Sequence, residues 1–347
     1  MSKNSQTQPV TTERLKQIIT RFPRLRITVL GDLVADEFVF GEIARVSREA
    51  PVLILKHRER MLVPGGGANA VNNLADLGVN VRPVGVVGND EAGRELINIF
   101  RRKRVQTSGI IVDRNFSTVT KTRILAGMQH TARQQVVRLD REPENGPGKS
   151  TQRRLVAAAR RFIRASDALL VSDYGYGSAS PALLTALRRG GRAGVPIILD
   201  SRYRLLQYSG VTAATPNEPE VEEALNTRIG EDWRSLSSSG RRIMSKMKLR
   251  SLVITRGRDG MVAFAEKRGA VDIPIFGSDQ IADVTGAGDT VIATFAAALA
   301  SGAQTEEAAH LANYAGGIVV MKRGTATVSR EELRRAIDES PPAVRPH

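Results

Sequence analysis

Asp283-Val284-Thr285-Gly286-Ala287-Gly288-Asp289 runs directly into an apolar, small-residue stretch over 290–300. That stretch reads as a buried helix. Glycines at its start keep backbone N–H groups free to face an anion, and the helix dipole favours negative charge there. Asp289 falls in the first turn, beside that anion site. A carboxylate so placed can take the proton of an attacking hydroxyl, while the N–H cluster holds the charge building on a transferring phosphoryl group. The competing reading makes Asp289 a helix cap and the glycines a turn. An isolated Gly-x-Gly-Asp would support only that; the flanking Asp283-x-Thr285 and the rest of the chain favour the chemistry.

Upstream of this turn, strands alternate with helices. Helix 151–164 precedes strand 168–171, helix 181–189 precedes strand 196–199, a strand at 211–214 leads into helix 218–225, and helix 234–247 precedes strand 252–255. Such alternation predicts a largely parallel sheet covered on both faces. A buried strand over 26–30 ends in Gly31-Asp32. Residues 33–60 differ: apolar and polar residues alternate over 37–40 and 52–56, with Gly41 and Pro51 as punctuation, which predicts antiparallel strands with one wet face. Further strands are predicted at 110–112, 119–125 and 135–139. Residues 64–69 read as a glycine-rich turn before a helix over 70–77. The fold class is α/β: a doubly wound, largely parallel sheet carrying a small antiparallel β lid from about 33–60 and 108–140. Residues 1–23 read as a flexible polar arm with room for one short helix, and 24–340 as one domain. In open α/β sheets the ligand sits beyond the carboxyl ends of the strands, under such a lid.

With 51 Lys and Arg against 36 Asp and Glu, the net charge is +15. The arginines are scattered along the chain and aromatics are only 4%, so the clustered, aromatic-interleaved pattern of a nucleic-acid binder is missing. A solvated basic surface, or a field that attracts anionic substrates, fits better. There is no cysteine, which excludes disulfides and thiolate metal sites. No stretch reaches the ~20 apolar residues of a membrane span, and the first residues lack the apolar core of a signal peptide. A cytoplasmic location is the expectation. His57, His130, His310 and His347 are too scattered to suggest a metal cluster. Gly146-Pro147-Gly148-Lys149-Ser150 imitates the tail of a phosphate-binding loop, but Pro143 stands where that motif needs its first glycine. Gly286-x-Gly288 imitates a dinucleotide fingerprint, but Val291 stands at its third glycine.

The chain resembles the ribokinase-like (PfkB-type) carbohydrate kinases over roughly 26–337. Two signatures carry this: Pro64-Gly65-Gly66-Gly67-Ala68-Asn69 and Asp283–Asp289. Within the family it resembles the subgroup acting on D-glycero-D-manno-heptose 7-phosphate. The stretches shared with that subgroup are Gly31-Asp32…Asp36, Arg45-Val46-Ser47-Arg48-Glu49-Ala50-Pro51-Val52, Thr120-Lys121-Thr122-Arg123, Arg138-Leu139-Asp140, Ser172-Asp173-Tyr174 and Thr215-Pro216-Asn217. The resemblance implies ATP and Mg²⁺ as cofactors, transfer to the anomeric hydroxyl, and a 1,7-bisphosphate product for surface-polysaccharide precursors. It implies Asp289 as base with Gly286, Ala287 and Gly288 as the anion cradle. Asp32, Asp36, Gly65, Gly66 and Asn69 would meet the sugar.

Lys121 and Arg123, two apart on one strand face, would hold its distal phosphate unless they merely pair with Asp140. Asn217, Thr255, Arg256, Gly257, Gly260 and Asn313 would line the nucleotide site. Glu220 would organise the metal, unless Asn217 and Glu220 only cap a helix. Family members often dimerise through the β lid, so a homodimer is expected, as is a separate nucleotidyltransferase in the same pathway, an activity that a chain of 347 residues is not expected to carry. Departures are Tyr176, where the subgroup often has Lys, Asp200-Ser201-Arg202 in place of Asp-Pro-Lys, and a longer segment over 120–140. The alternatives are a kinase of another sugar or nucleoside, and a non-catalytic basic nucleic-acid-binding protein on a kinase fold; the intact Gly286–Asp289 run argues against the second.

Overall fold

The computed structural model describes residues 10–127, 133–189, 194–266, 268–277, 283–322 and 324–345. His130 and His347, the first residues of the expected arm and the middle of the 120–140 segment lie outside them. In chain order the elements begin with helix α1 (Thr12–Arg21), strand β1 (Arg26–Gly31), the long hairpin β2 (Leu33–Val46) and β3 (Leu53–Gly66), and helix α2 (Gly67–Asp76). Then come β4 (Asn80–Gly88), α3 (Glu91–Arg102), β5 (Ile110–Asp113), β6 (Thr120–Gly127), β7 (Gln134–Arg141) and α4 (Lys149–Ile163). The second half holds β8 (Ala168–Asp173), α5 (Pro181–Arg188), β9 (Ile197–Ser201), β10 (Ala213–Ala214), α6 (Glu218–Leu225), α7 (Trp233–Met247) and β11 (Ser251–Thr255). It closes with β12 (Met261–Ala265), β13 (Ala270–Ile273), α8 (Ala287–Ala300), α9 (Thr305–Val320) and α10 (Arg330–Glu339).

Nine strands form the body in the order β13-β12-β11-β10-β9-β8-β1-β4-β5. From β11 to β5 every pairing is parallel, and β12 and β13 are antiparallel. The central strands are buried on both faces, Ile27 to Leu30 and Ala168 to Val171 without a break, which explains why they read as continuous apolar runs rather than alternations. One core packs α1, α2, α3, α8, α9 and α10 on one face; the other packs α4 to α7 on the opposite face. Alanines at 293, 296 and 297 of α8 and at 308 and 312 of α9 are fully buried. Such small side chains let two helices approach closely. The chain leaves β1 in both directions across the sheet, to β4 and to β8, so the topological switch point falls at Gly31 and Ser172.

The lid is a separate four-stranded sheet, β3-β2-β6-β7. The expected β lid is therefore present, with three corrections. Strand 110–112 does not belong to it: β5 pairs in parallel with β4 in the body, so the second insertion starts at β6. The stretch expected as a turn over 64–69 is instead strand to Gly66 and helix from Gly67. Residues 12–21 of the expected arm form α1, with Leu15, Ile18 and Ile19 fully buried in the first core. Their i, i+3, i+4 spacing is a helical stripe, outweighed in the reading by the polar residues around it. The antiparallel pair β12–β13 was not foreseen, because five apolar residues in Met261–Ala265 carry no periodicity of their own.

Candidate active site

α8 begins where the decisive stretch predicts. Gly286 is its N-cap, in the left-handed region at φ 79°, and no described side chain caps the helix; Ala287 N–H donates to the Val284 carbonyl at 3.2 Å, which leaves the N–H groups of Gly288 and Asp289 for an anion. A Cβ at Gly286 would come within 2.5 Å of Asn69 Nδ2; both the backbone conformation and the close approach require glycine. Asp289 is 4% exposed. The Tyr174 hydroxyl donates to Asp289 Oδ1 at 2.7 Å, and Asn69 Nδ2 donates to Oδ2 at 3.1 Å and to the Gly286 carbonyl at 3.2 Å. Burial drives the Asp289 carboxyl up to about 7, against the lowering pull of those two donors. Burial and the charge of Asp289 keep the Tyr174 phenol protonated. A carboxylate poised near neutrality and oriented by two neutral donors is a competent general base. Asn69, expected at the sugar, has its side-chain amide on the base.

Asp32 also takes a different part. It is 1% exposed, and its oxygens accept the backbone N–H groups of Tyr174 (2.9 Å), Tyr176 (3.1 Å) and Ser178 (2.8 Å). Burial first, and the nearby Asp173 charge, push its carboxyl up to about 6. In this conformation Asp32, expected at the sugar, holds the 174–178 loop. Asp36 packs so closely on Gly65 that a Cβ there would meet its Oδ2 at 2.3 Å, and it accepts from Arg123 Nη1 at 2.6 Å. The register sets Lys121 opposite both Asp36 and Asp140, and Arg123 opposite Arg138. One lid face therefore carries all five.

Lys121 Nζ donates to the Tyr176 hydroxyl at 3.0 Å and to Asp140 Oδ2 at 3.3 Å. The expected shared face is present, and the pairing with Asp140 holds for Lys121, whereas Arg123 pairs with Asp36. Tyr176, standing where a lysine was expected, joins this cluster and donates to Glu142 Oε1 at 2.6 Å. Tyr174 and Tyr176, two residues apart on the loop that Asp32 holds, thus touch the base and the lid cations respectively. Tyr174 was not singled out from sequence; Ser172-Asp173-Tyr174 at the end of a buried strand was the available signal.

On the other side of the α8 start, a cavity of about 170 Å³ is lined by Thr255, Gly257, Gly260, Ala287, Gly288 and Asn313, among others. Four of the expected nucleotide-site residues meet there. Arg256 instead pairs with Glu218 (3.1 Å), and Asn217 is bridged to Thr255. Asn217 and Glu220 form a full capping box on α6, each side chain bonded to the other's backbone N–H at 2.9 Å. The capping reading is therefore correct for them, and it leaves Glu220 one carboxylate oxygen uncommitted. Asp200, which the sequence noted only as a departure, lies beside it. Burial, then the charges of Glu220, Asp289 and Asp173, push the Asp200 carboxyl well up, and burial pushes Glu220 up as well. Two carboxylates whose charges act on each other and on Asp289 suit a hard divalent cation. Among the described residues no group of three His, Asp or Glu could hold an ion alone, so phosphates and water would supply most of its ligands.

A general base at an uncapped helix start, at the switch point of a doubly wound sheet and under a β lid, defines a sugar-kinase type of phosphotransferase. The chain belongs to the pfkB family of carbohydrate kinases, whose model matches residues 29–332, and is thereby an ATP-dependent sugar kinase. It is 40% identical over 307 residues to the Bifunctional protein HldE of Geobacter metallireducens, covering 88% of this chain and 61% of that one. It is 38% identical over 320 residues to the protein of the same name from Gluconobacter oxydans, covering 91% and 65%. The chain thus spans less than two thirds of these relatives' length. Its fold is similar to phosphofructokinase-2 from Escherichia coli in complex with substrates and products, with a TM-score of 0.75, 16% identity, and 91% and 99% of the two chains covered. Ribokinase of Arabidopsis thaliana complexed with ribose and ATP gives 0.70, 19%, 91% and 99%. At such identities the likeness concerns the fold.

Proposed function

We propose that this chain transfers the γ-phosphate of ATP to the anomeric hydroxyl of D-glycero-D-manno-heptose 7-phosphate, giving the 1,7-bisphosphate. The observation that carries the substrate class is the 174–176 loop, which joins Asp289 at one end to the Lys121 and Arg123 lid face at the other. A sugar whose reacting hydroxyl lies at the base can extend its far end toward those cations. A distal phosphate there would displace Asp140 and Asp36 as partners and gain charge-assisted hydrogen bonds. The stretches shared with the heptose 7-phosphate subgroup, and the identity to proteins named bifunctional HldE, support the choice.

In the reaction the anomeric oxygen attacks the γ-phosphorus, the bond from that phosphorus to the β,γ-bridging oxygen breaks and ADP leaves, while Asp289 accepts the hydroxyl proton. Asn69 and Tyr174 hold the carboxylate in place, and the N–H groups of Gly288 and Asp289 at the α8 start would face the oxygens of the transferring group. The adenine end of ATP would enter the cavity at Asn313, which is smaller than the ~300–1,000 Å³ of whole-ligand sites and so takes only part of the nucleotide. Asp200 and Glu220 would hold Mg²⁺, which when bound screens the phosphate charge. The reaction sequence then needs a nucleotidyltransferase to consume the product, and a cytoplasmic location suits both substrates. ATP turnover over a panel of free and phosphorylated sugars tests the reading. A strong preference for the heptose 7-phosphate is expected, and equal turnover of free and phosphorylated sugar would replace it with a kinase of an unphosphorylated sugar.

We further propose a homodimer through the lid. β7 is an edge strand exposed along its whole length, with Val137 and Leu139 open to solvent, and an exposed edge invites a partner strand. Light scattering at micromolar concentration should report a dimer, and monomer alone would refute it.

A further inference from the structure

The arginines that look scattered in the sequence gather in the fold. Three cavities, of about 490, 560 and 590 Å³, lie at the amino ends of the parallel strands, the pole of the sheet opposite the site described above. The second and third are lined by Arg241 and Arg268, and by Arg24, Arg26, Arg82 and Arg104, among others. Strand starts from distant parts of the sequence meet at one edge of a parallel sheet, so cations placed before each strand converge there. Acidic residues are few there, Glu266 and Asp167 among them, and a predominantly basic edge raises the local concentration of anions.

The first cavity has more than charge. Arg160 of α4, Arg188 of α5, and Lys248 and Arg250 between α7 and β11 line it, and no acidic residue does among the described lining. None of the four makes an ion pair with a described residue. Arg160 Nη2 donates to the Ala186 carbonyl at 2.7 Å, and Arg188 Nη1 to that of Ser209 at 3.2 Å. Arg160 Nε is buried with no hydrogen-bond partner. Arg188 is seated on Gly210, where φ is +70° and a Cβ would meet the guanidinium at 1.8 Å; only glycine leaves the arginine that seat. The floor is apolar: Leu169, Leu184, Leu187 and Val211 are all buried. A volume near 490 Å³ is within the range of small-molecule sites.

We propose that this cavity is a second ligand site, remote from the catalytic one, for a small molecule that joins an apolar planar body to two or more phosphates, of the nucleoside diphosphate class. The apolar floor takes the base. The four cations take the phosphates through charge-assisted hydrogen bonds. Among the described residues no exposed large apolar side chain lines the cavity, which disfavours insertion into a membrane, and a concave apolar floor fits a base better than a duplex surface.

The test is the stoichiometry of ADP binding by equilibrium dialysis at saturating ADP, comparing wild type with the Arg188→Gln/Arg250→Gln double variant. Both residues are exposed, so the variant should fold, which its circular dichroism and unchanged kcat would establish. Wild type should bind two ADP per chain and the variant one, and inorganic pyrophosphate should bind the second site at least tenfold more weakly than ADP. A drop from one to none would support this site while removing nucleotide from the catalytic cleft, so the two readings fail separately. Equal stoichiometry in both proteins, or pyrophosphate binding as well as ADP, would overturn the proposal. So would a loss confined to duplex DNA or anionic-vesicle binding, which would assign the edge to a macromolecular polyanion.

Discussion

Replacing Tyr174 by Phe removes one of the two donors that hold Asp289 and leaves the ring in place. The lost bond, 2.7 Å from hydroxyl to Oδ1, is of the kind made to a charged group, worth about 1.5–3 kcal/mol. Because the bond favours the ionised carboxyl, its loss raises the Asp289 pKa by about one to two, from a starting point of about 7. A general base works only when deprotonated. At pH 7 its active fraction should fall from about one half to between about one tenth and one hundredth, a loss of about 5–50-fold in kcat. The assay is kcat against pH from 6 to 9.5 with saturating ATP and sugar. The Tyr174→Phe curve should be displaced to higher pH and regain most of the wild-type rate at its alkaline end. A variant slower by the same factor at every pH would show that Tyr174 serves geometry alone, and an unchanged curve would show that it does not act on the base at all.

Asp289→Asn should change stability with pH in a defined direction. The folded carboxyl titrates near 7 against an ordinary value of 3.8, so the folded state holds a proton that the unfolded chain has released. Wild-type stability therefore falls as pH rises between those values, and the variant should melt higher than wild type at pH 7.5 with the gap closing toward pH 5; a constant gap would contradict the raised pKa. Lys121→Ala should lower kcat/KM at least tenfold on the phosphorylated sugar and leave the weak turnover of the free sugar nearly unchanged; equal losses on both would mean that Lys121 only braces Asp140 and Tyr176.

The sheet, its parallel character and the α8 start were legible because they rest on local signals. Apolar runs bounded by turns give buried strands, and Gly286–Gly288 before a small-residue helix gives the anion cradle. What escaped depends on contacts distant in sequence. Asn69 and Asp289 are 220 residues apart, and nothing local shows that the asparagine faces a carboxylate rather than a sugar. Asp32 reads as a hydroxyl acceptor until the 174–178 loop folds over it. β5 was assigned to the lid because four residues cannot tell which sheet they join. The basic edge is the clearest case: cations evenly spread in sequence converge because a parallel sheet collects every strand's amino end at one pole.

The central claim is that Asp289 takes the proton from the attacking hydroxyl, and turnover of a folded Asp289→Asn protein tests it most directly. The variant should bind ATP with wild-type affinity in a calorimetric titration, keep the wild-type circular dichroism, and lose kcat by about 10²–10⁴-fold. A folded, ATP-binding Asp289→Asn protein whose kcat stays within a few-fold of wild type would contradict it.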